Sequence, residues 1–206
     1  SHSGISIGED GPSQMGIEDI ALASSLPHFV VLVPADAPSA QALTWAMLEY
    51  DDPVYMRTGR PEVPIVYAEG ARFEIGKANR LREGKDITLI ACGLMVSAAL
   101  EAAHTLSEEG IEARVLDMHT VKPIDADAIE QAARETGAIV TVEEHLLQGG
   151  LGATVARIVA ERHPVPMAFV GIDDQYAESG KPQELLEKYG LMPDDIVQAV
   201  RRAMRK

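Results

Sequence analysis

Chemically capable side chains crowd the opening run SHSGISIGEDGPSQ. An imidazole (His2), two adjacent carboxylates (Glu9 and Asp10), a hydroxyl (Ser13) and an amide (Gln14) are spaced by Gly4, Gly8, Gly11 and Pro12. So much glycine and proline predicts a loop in special backbone geometry, whose polar groups can converge on a small molecule rich in hydroxyls. A polar surface loop ahead of a helix accounts for the same residues equally well.

Further along, the stretch RTGRPEVPIVYAEGAR at Arg57–Arg72 opens with two arginines, Arg57 and Arg60. An arginine fork matches phosphate oxygens in pairs, while a solvated linker charge is the simpler reading. Glu143, Glu144 and His145 together have the chemistry of an acid/base or metal cluster. They lack the HExxH spacing and a third ligand nearby, which favours a structural or surface role. GGLG at Gly149–Gly152 precedes a helix and has neither the lysine of a phosphate-binding P-loop nor GxGxxG spacing, so it reads as a tight strand-to-helix turn. Cys92 ends an apolar run and reads as a small core residue.

The elements that must carry these groups alternate. Ile5 and Ile7 flank Ser6 with period two, predicting a short strand, and Ser13 is placed to cap a helix over roughly Met15–Leu26. The run Phe29–Val33 predicts a strand buried on both faces. Asp36 is placed to cap a helix with Pro38 in its first turn, and Ala40, Leu43, Met47 and Tyr50 give that helix an apolar stripe. Pro53–Met56 resumes an extended chain, so this half sheet needs a partner at one edge. The Pro/Gly-rich stretch 57–72 predicts a linker. Beyond it, strands are predicted at Ile87–Ala91, Ala113–Leu116, Ala138–Val142 and Pro166–Val170. Helices are predicted at about Met95–Leu106, Ile124–Thr136, Leu151–Arg162, Gln183–Lys188 and Asp194–Arg205. The expected fold class is α/β, as two consecutive segments with mostly parallel open sheets flanked by helices. The expected units are 1–67 and 73–206.

The chain has 206 residues, 46% of them hydrophobic and 4% aromatic, so Ala, Val, Leu and Ile must build the core. Its formal net charge of -14 (32 acidic against 18 basic residues) repels nucleic acid, and an anionic substrate would need a local positive pocket. The longest apolar run, Ile87–Leu100, is too short for a bilayer and is broken by Gly93, so no membrane partner is expected. A single cysteine favours a reducing compartment, and the expected location is cytoplasmic.

The run SHSGISIGEDGPSQ resembles the second half of the pyrimidine-binding domain of transketolase, in its animal-type branch. PVYMRTGRPE resembles the stretch after the last strand of that domain. ARVLDMHTVKPID, TVEEHLLQGGLG and ESGKPQELLEKYG resemble the transketolase carboxy-terminal domain, so the likeness covers essentially the whole chain. It implies transfer of a two-carbon ketol unit from a ketose phosphate to an aldose phosphate, using thiamine diphosphate and a divalent metal (magnesium or calcium). It further implies that His2 lines the substrate channel near the sugar phosphate, that Asp10 reads substrate hydroxyls, and that Arg60 helps hold the phosphate. Arg57 stays a linker charge. Gln14 falls beside the reacting carbons, where the microbial and plant branch has histidine. Glutamine hydrogen-bonds there and cannot titrate near neutrality.

The family's metal and diphosphate motif is missing from the chain, and its activating glutamate and ring-stacking aromatic lie upstream of Ser1. The resemblance therefore implies a piece or subunit that is inactive alone, binds no cofactor or metal by itself, and depends on an upstream transketolase region in the same chain or a separate subunit. The complete enzyme is expected to be a homodimer. Two alternatives stand beside this: another thiamine diphosphate enzyme such as deoxyxylulose phosphate synthase, and a non-catalytic domain pair for dimerisation or docking. GPSQ and SGKPQELL favour transketolase over the synthase.

Overall fold

A computed structural model of the chain describes residues 2–205. Two sheets organise it. The larger contains β3 (Asn79–Arg82), β4 (Ile87–Ala91), β5 (Ala113–Asp117), β7 (Ile139–Leu146) and β8 (Met167–Ile172) in the order β3-β5-β4-β7-β8. Every pairing is parallel except that of β3 with β5. All five residues of β4 and of β5 are buried, which explains why β4 is apolar at every position but Thr88. Helices α3 (Met95–Glu108) and α7 (Pro193–Met204), the latter preceded by the short α6 (Pro182–Lys188), pack on one face through Val96, Ala99, Ile196 and Val200. Helices α4 (Ala126–Thr136) and α5 (Leu151–Arg162) cover the other through Ile129, Ala133, Val155 and Val159. The Asp125 carboxylate caps α4 by accepting from Ala128 N at 3.1 Å.

The smaller sheet is built from β1 (Val30–Leu32), β2 (Val54–Met56) and β6 (Thr120–Lys122), in the order β2-β1-β6. β1 and β2 run parallel, while β6 reaches over from the second segment to pair antiparallel with β1. Between β1 and β2 lies α2 (Ala37–Leu48), opened by the expected Asp36 cap in a reciprocal box with Ser39. No helix among the described residues is long and apolar enough to cross a membrane.

Two local expectations are corrected. Ile5–Ile7 is a turn of 3₁₀-helix, because all three residues are buried and no neighbouring strand extends beside them. The next helix, α1, spans Asp19–Ser25, and its N-terminus has no side-chain cap. Ser13 is instead exposed in the preceding loop.

Both segments share one core. Ile5, Ile7, Met15 and Ile17 join the layer beneath α3 and α7. Ile20, Val31 and Val33 join the layer beneath α4 and α5. Full burial of each such side chain contributes about 1.5–3 kcal/mol, so the joint between the segments is apolar and substantial.

Candidate active site

The opening loop is closed at a narrow neck. Gly4 N donates to Gly16 O (2.7 Å), Gly16 N donates to His2 O (3.2 Å), and Ser3 and Gly16 form an isolated parallel bridge. Successive tight turns follow, with Gly8 N donating to Ile5 O and Gln14 N to Gly11 O. These turns bury Ile5, Ile7 and Met15, leaving His2 exposed at the neck and Glu9, Asp10, Ser13 and Gln14 exposed on the outer turns, the lip of the loop. Ser3 ties the neck to the chain after β2, its hydroxyl donating to Thr58 O at 3.0 Å.

Two of the four sequence-predicted site residues meet there. Arg60 Nη1 lies 2.5 Å from Asp10 Oδ2, with side chains 53% and 45% exposed. His2 and Gln14 sit on the same loop, and their side chains make no hydrogen bond to other described residues. A cleft of about 450 Å³ opens nearby, lined among others by Ser3, Arg57, Thr58, Gly93, Leu94 and Glu144. None of His2, Asp10, Gln14 and Arg60 contributes to its lining.

Arg57 is no solvated linker charge. It is buried, with Nε 2.9 Å from Asp19 Oδ2 and Nη2 donating to Gly16 O (3.0 Å) and Glu144 O (2.8 Å). The Tyr55 hydroxyl also donates to Asp19, at 2.7 Å. One guanidinium thus ties together the loop neck, α1 and the end of β7. An RTGR run read alone carries no sign of this, since Asp19 is 38 positions away.

Glu143, Glu144 and His145 extend β7 and are all buried. Glu143 accepts from Leu151 N and Gly152 N, each at 2.7 Å. The GGLG turn therefore cradles the chain's own carboxylate. A Cβ on Gly150 would lie 2.1 Å from Glu143 Oε2, so only glycine lets the turn close over it. Burial pushes the Glu143 carboxyl up to about 7, against the pull of those two N–H groups. Glu144 Oε1 accepts from Ser6 N at 2.6 Å. Burial raises this carboxyl too, while Arg57 and the Ser6 N–H favour its charged form. His145 Nδ1 faces Leu146 O at 2.7 Å and its Nε2 receives Ala21 N at 3.4 Å, which fits the tautomer protonated on Nδ1. The triplet is structural, as its spacing suggests, but it lies at the joint and not at the surface.

Two α/β segments, joined through a shared apolar core and the bond from Arg57 to Glu144 O, place the chain among the open-sheet α/β proteins, whose ligands favour the carboxyl ends of the strands. Comparison with known proteins narrows this. Residues 1–66 match the family model of the transketolase pyrimidine binding domain, and residues 76–196 match that of the transketolase C-terminal domain. The chain belongs to the transketolase family. It is 41% identical over 204 residues to one of the subunits of apulose-4-phosphate transketolase from Phocaeicola vulgatus, with 98% of this chain and 65% of that protein covered. It is 39% identical to human transketolase, with 100% of this chain and 33% of that enzyme covered. A solved structure described as "Split gene transketolase, inactive beta4 tetramer" superposes with a TM-score of 0.92 at 49% identity, covering 95% of this chain and 64% of that one. The chain thus spans under two thirds of each of these relatives.

The family uses thiamine diphosphate with a divalent metal. Among the described residues no three His, Cys, Asp or Glu side chains are grouped to hold a metal. The glycine-rich helix N-terminus that would suit a diphosphate is filled by Glu143.

Proposed function

We propose that the chain supplies part of the sugar-phosphate channel of a cytoplasmic transketolase, as the carboxy-terminal portion of the enzyme. Its units are residues 1–67 and 73–206. An upstream region, in the same chain or a separate subunit, holds thiamine diphosphate and magnesium or calcium, and the complete enzyme is a homodimer. The chain alone is inactive. The Phocaeicola relative is named as one subunit of a transketolase, which supports a separate partner subunit here. The observation that carries the reading is the Arg60–Asp10 pair on the exposed lip, beside Gln14 and His2 on the same turns. Arg60 is the cation there, and its planar fork suits a phosphate. Asp10 keeps the guanidinium in place and offers a carboxylate oxygen to sugar hydroxyls. His2 assists at the phosphate, and Gln14 hydrogen-bonds near the reacting carbons without exchanging protons.

The test combines the chain with the complementary amino-terminal region and assays ketol transfer from a ketose phosphate and from unphosphorylated hydroxypyruvate. Activity should need both pieces. Arg60→Ala should weaken phosphorylated substrates by about tenfold to a hundredfold, the loss of one charge-assisted hydrogen bond, and nearly spare hydroxypyruvate. Equal losses on both donors would make Arg60 structural. Turnover of pyruvate with an aldose phosphate, in place of ketol transfer, would move the chain to the deoxyxylulose phosphate synthase class.

A further inference from the structure

Glu144 belongs to the larger sheet, yet its carboxylate sits inside the smaller segment's loop. From the end of β7 it accepts Ser6 N at 2.6 Å within the turn Ile5–Ile7. Gly4, at φ +82°, approaches so closely that a Cβ there would stand 2.1 Å from Glu144 Oε2. The Glu144 carbonyl accepts from Arg57 Nη2, which also donates to Gly16 O at the other side of the neck. The next backbone step repeats the link, with Leu146 N donating to Ile17 O at 2.9 Å. Glu144 therefore grips the buried first turn of the loop directly, and its neck through Arg57. The exposed residues Glu9, Asp10 and Gln14 ride on that turn with no strand or helix of their own.

We propose that Glu144 is a positioning residue for the sugar site: its carboxylate holds the Ile5–Ile7 turn so that the lip Glu9–Gln14 meets the substrate in one geometry. This rests on the sugar-phosphate reading given above. It assigns the carboxy-terminal segment a part in shaping the channel, through a residue that touches no substrate.

Hydrogen exchange on the full chain tests the grip without any activity. In Glu144→Ala, amides of residues 4–16 should exchange about tenfold to a hundredfold faster, while those of β4 and β5 keep their protection. Glu144→Gln retains an acceptor for Ser6 N and should restore most of it. Gly4→Ala drives a methyl into the same carboxylate from the loop side and should loosen the same amides, even if Glu144→Ala fails to fold. Where both singles fold, the double variant should be loosened by clearly less than the two singles together, because removing the carboxylate relieves the clash and leaves only the strain of Ala at φ +82°. Unchanged exchange in residues 4–16, or strictly additive loosening, would overturn the grip.

Kinetics of the combined enzyme test the positioning. Glu144→Ala should lower kcat/KM at least tenfold for the ketose phosphate and for hydroxypyruvate alike, since the whole lip moves, and Glu144→Gln should recover it. That pattern differs from Arg60→Ala, which spares hydroxypyruvate. A loosened loop with wild-type kinetics would overturn the positioning role. A wild-type combination without ketol transfer would sink the function reading, and the exchange result would still decide the grip.

Discussion

The two sheets differ in what surrounds them. The five-stranded sheet has helices on both faces, and its central strands β4 and β5 are buried at every residue. The three-stranded sheet has β2 at an open edge, with only intermediate burial along its length. Its helix α2 exposes Trp45 at 67% and Leu48 at 66%, and α1 exposes Leu22 as well. Apolar surface that the larger sheet consumes is left uncovered on the smaller one. What the smaller region lacks in its own core it draws from the larger: β6 at one side of β1, and Glu144 and His145 beneath the loop, which meet Arg57, Ser6 and Ala21. A region can hold a precise site without being independently stable, provided that its neighbour supplies the fixed points.

Breaking the joint should have the largest effect. Arg57→Ala leaves Asp19 with only the Tyr55 hydroxyl among its described partners, and removing one member of a buried pair costs about 3–5 kcal/mol. The loss should fall on residues 2–36, read as faster hydrogen exchange there with β4, β5 and β7 still protected. Uniform loss across both sheets would show a single cooperative unit and erase the contrast.

Asp117, at the end of β5, probes the joint from the other side, since its Oδ2 accepts the Tyr67 hydroxyl at 2.6 Å. Burial pushes this carboxyl up to about 7, against the pull of the Tyr67 bond. The folded chain therefore holds that proton more tightly than the unfolded one. The resulting stabilisation is full below about pH 4 and is lost as pH rises through about 7. His119 opposes it: burial lowers its pKa to about 4, so its contribution is full above about 6.5 and is lost as pH falls through 4. Asp117→Asn keeps an acceptor for Tyr67 and isolates the carboxyl. In urea unfolding the variant should gain on wild type by roughly 1 kcal/mol per pH unit between 5 and 7, and match it within about 0.5 kcal/mol at pH 4. A constant difference across that range would mean that Asp117 titrates as in water.

The smallest effect belongs to the uncovered face. Trp45→Ser removes a side chain that already faces solvent, so urea unfolding of the chain should change by less than about 0.5 kcal/mol. A larger loss would show that this face is covered after all, and would narrow the difference between the sheets.

Most of the larger sheet was legible because a strand buried on both faces is written as consecutive apolar residues, as in ITLIA at β4. The strands that escaped were β3, written NRLR at an edge, and β6, three residues long. Neither is apolar or long enough to display a period, and both are created by a neighbour. Ile5 and Ile7 mislead for a related reason: two apolar residues at spacing two fit a strand or a buried turn, and only the surrounding packing chooses. The exposed loop with His2, Asp10 and Gln14 was legible through its glycine and proline content, while residue type and family likeness nominated those three and Arg60 as candidates. What holds it, Arg57 with Asp19 and Glu144 with Ser6, was not, since each partnership spans tens of residues and is visible only once the chain is folded.

The pairing of β6 with β1 also sets an order of events in time. Val31 and Leu32 find their antiparallel partners at Lys122 and Thr120, and a ribosome adding 5–20 residues each second needs on the order of ten seconds to go from one to the other. Throughout that interval β1 has one flank bare, and the loop ahead of it has yet to meet Glu144. The loop and β1 therefore wait for native partners that are made after them, and the exposed lip is completed only after the chain behind it has been made.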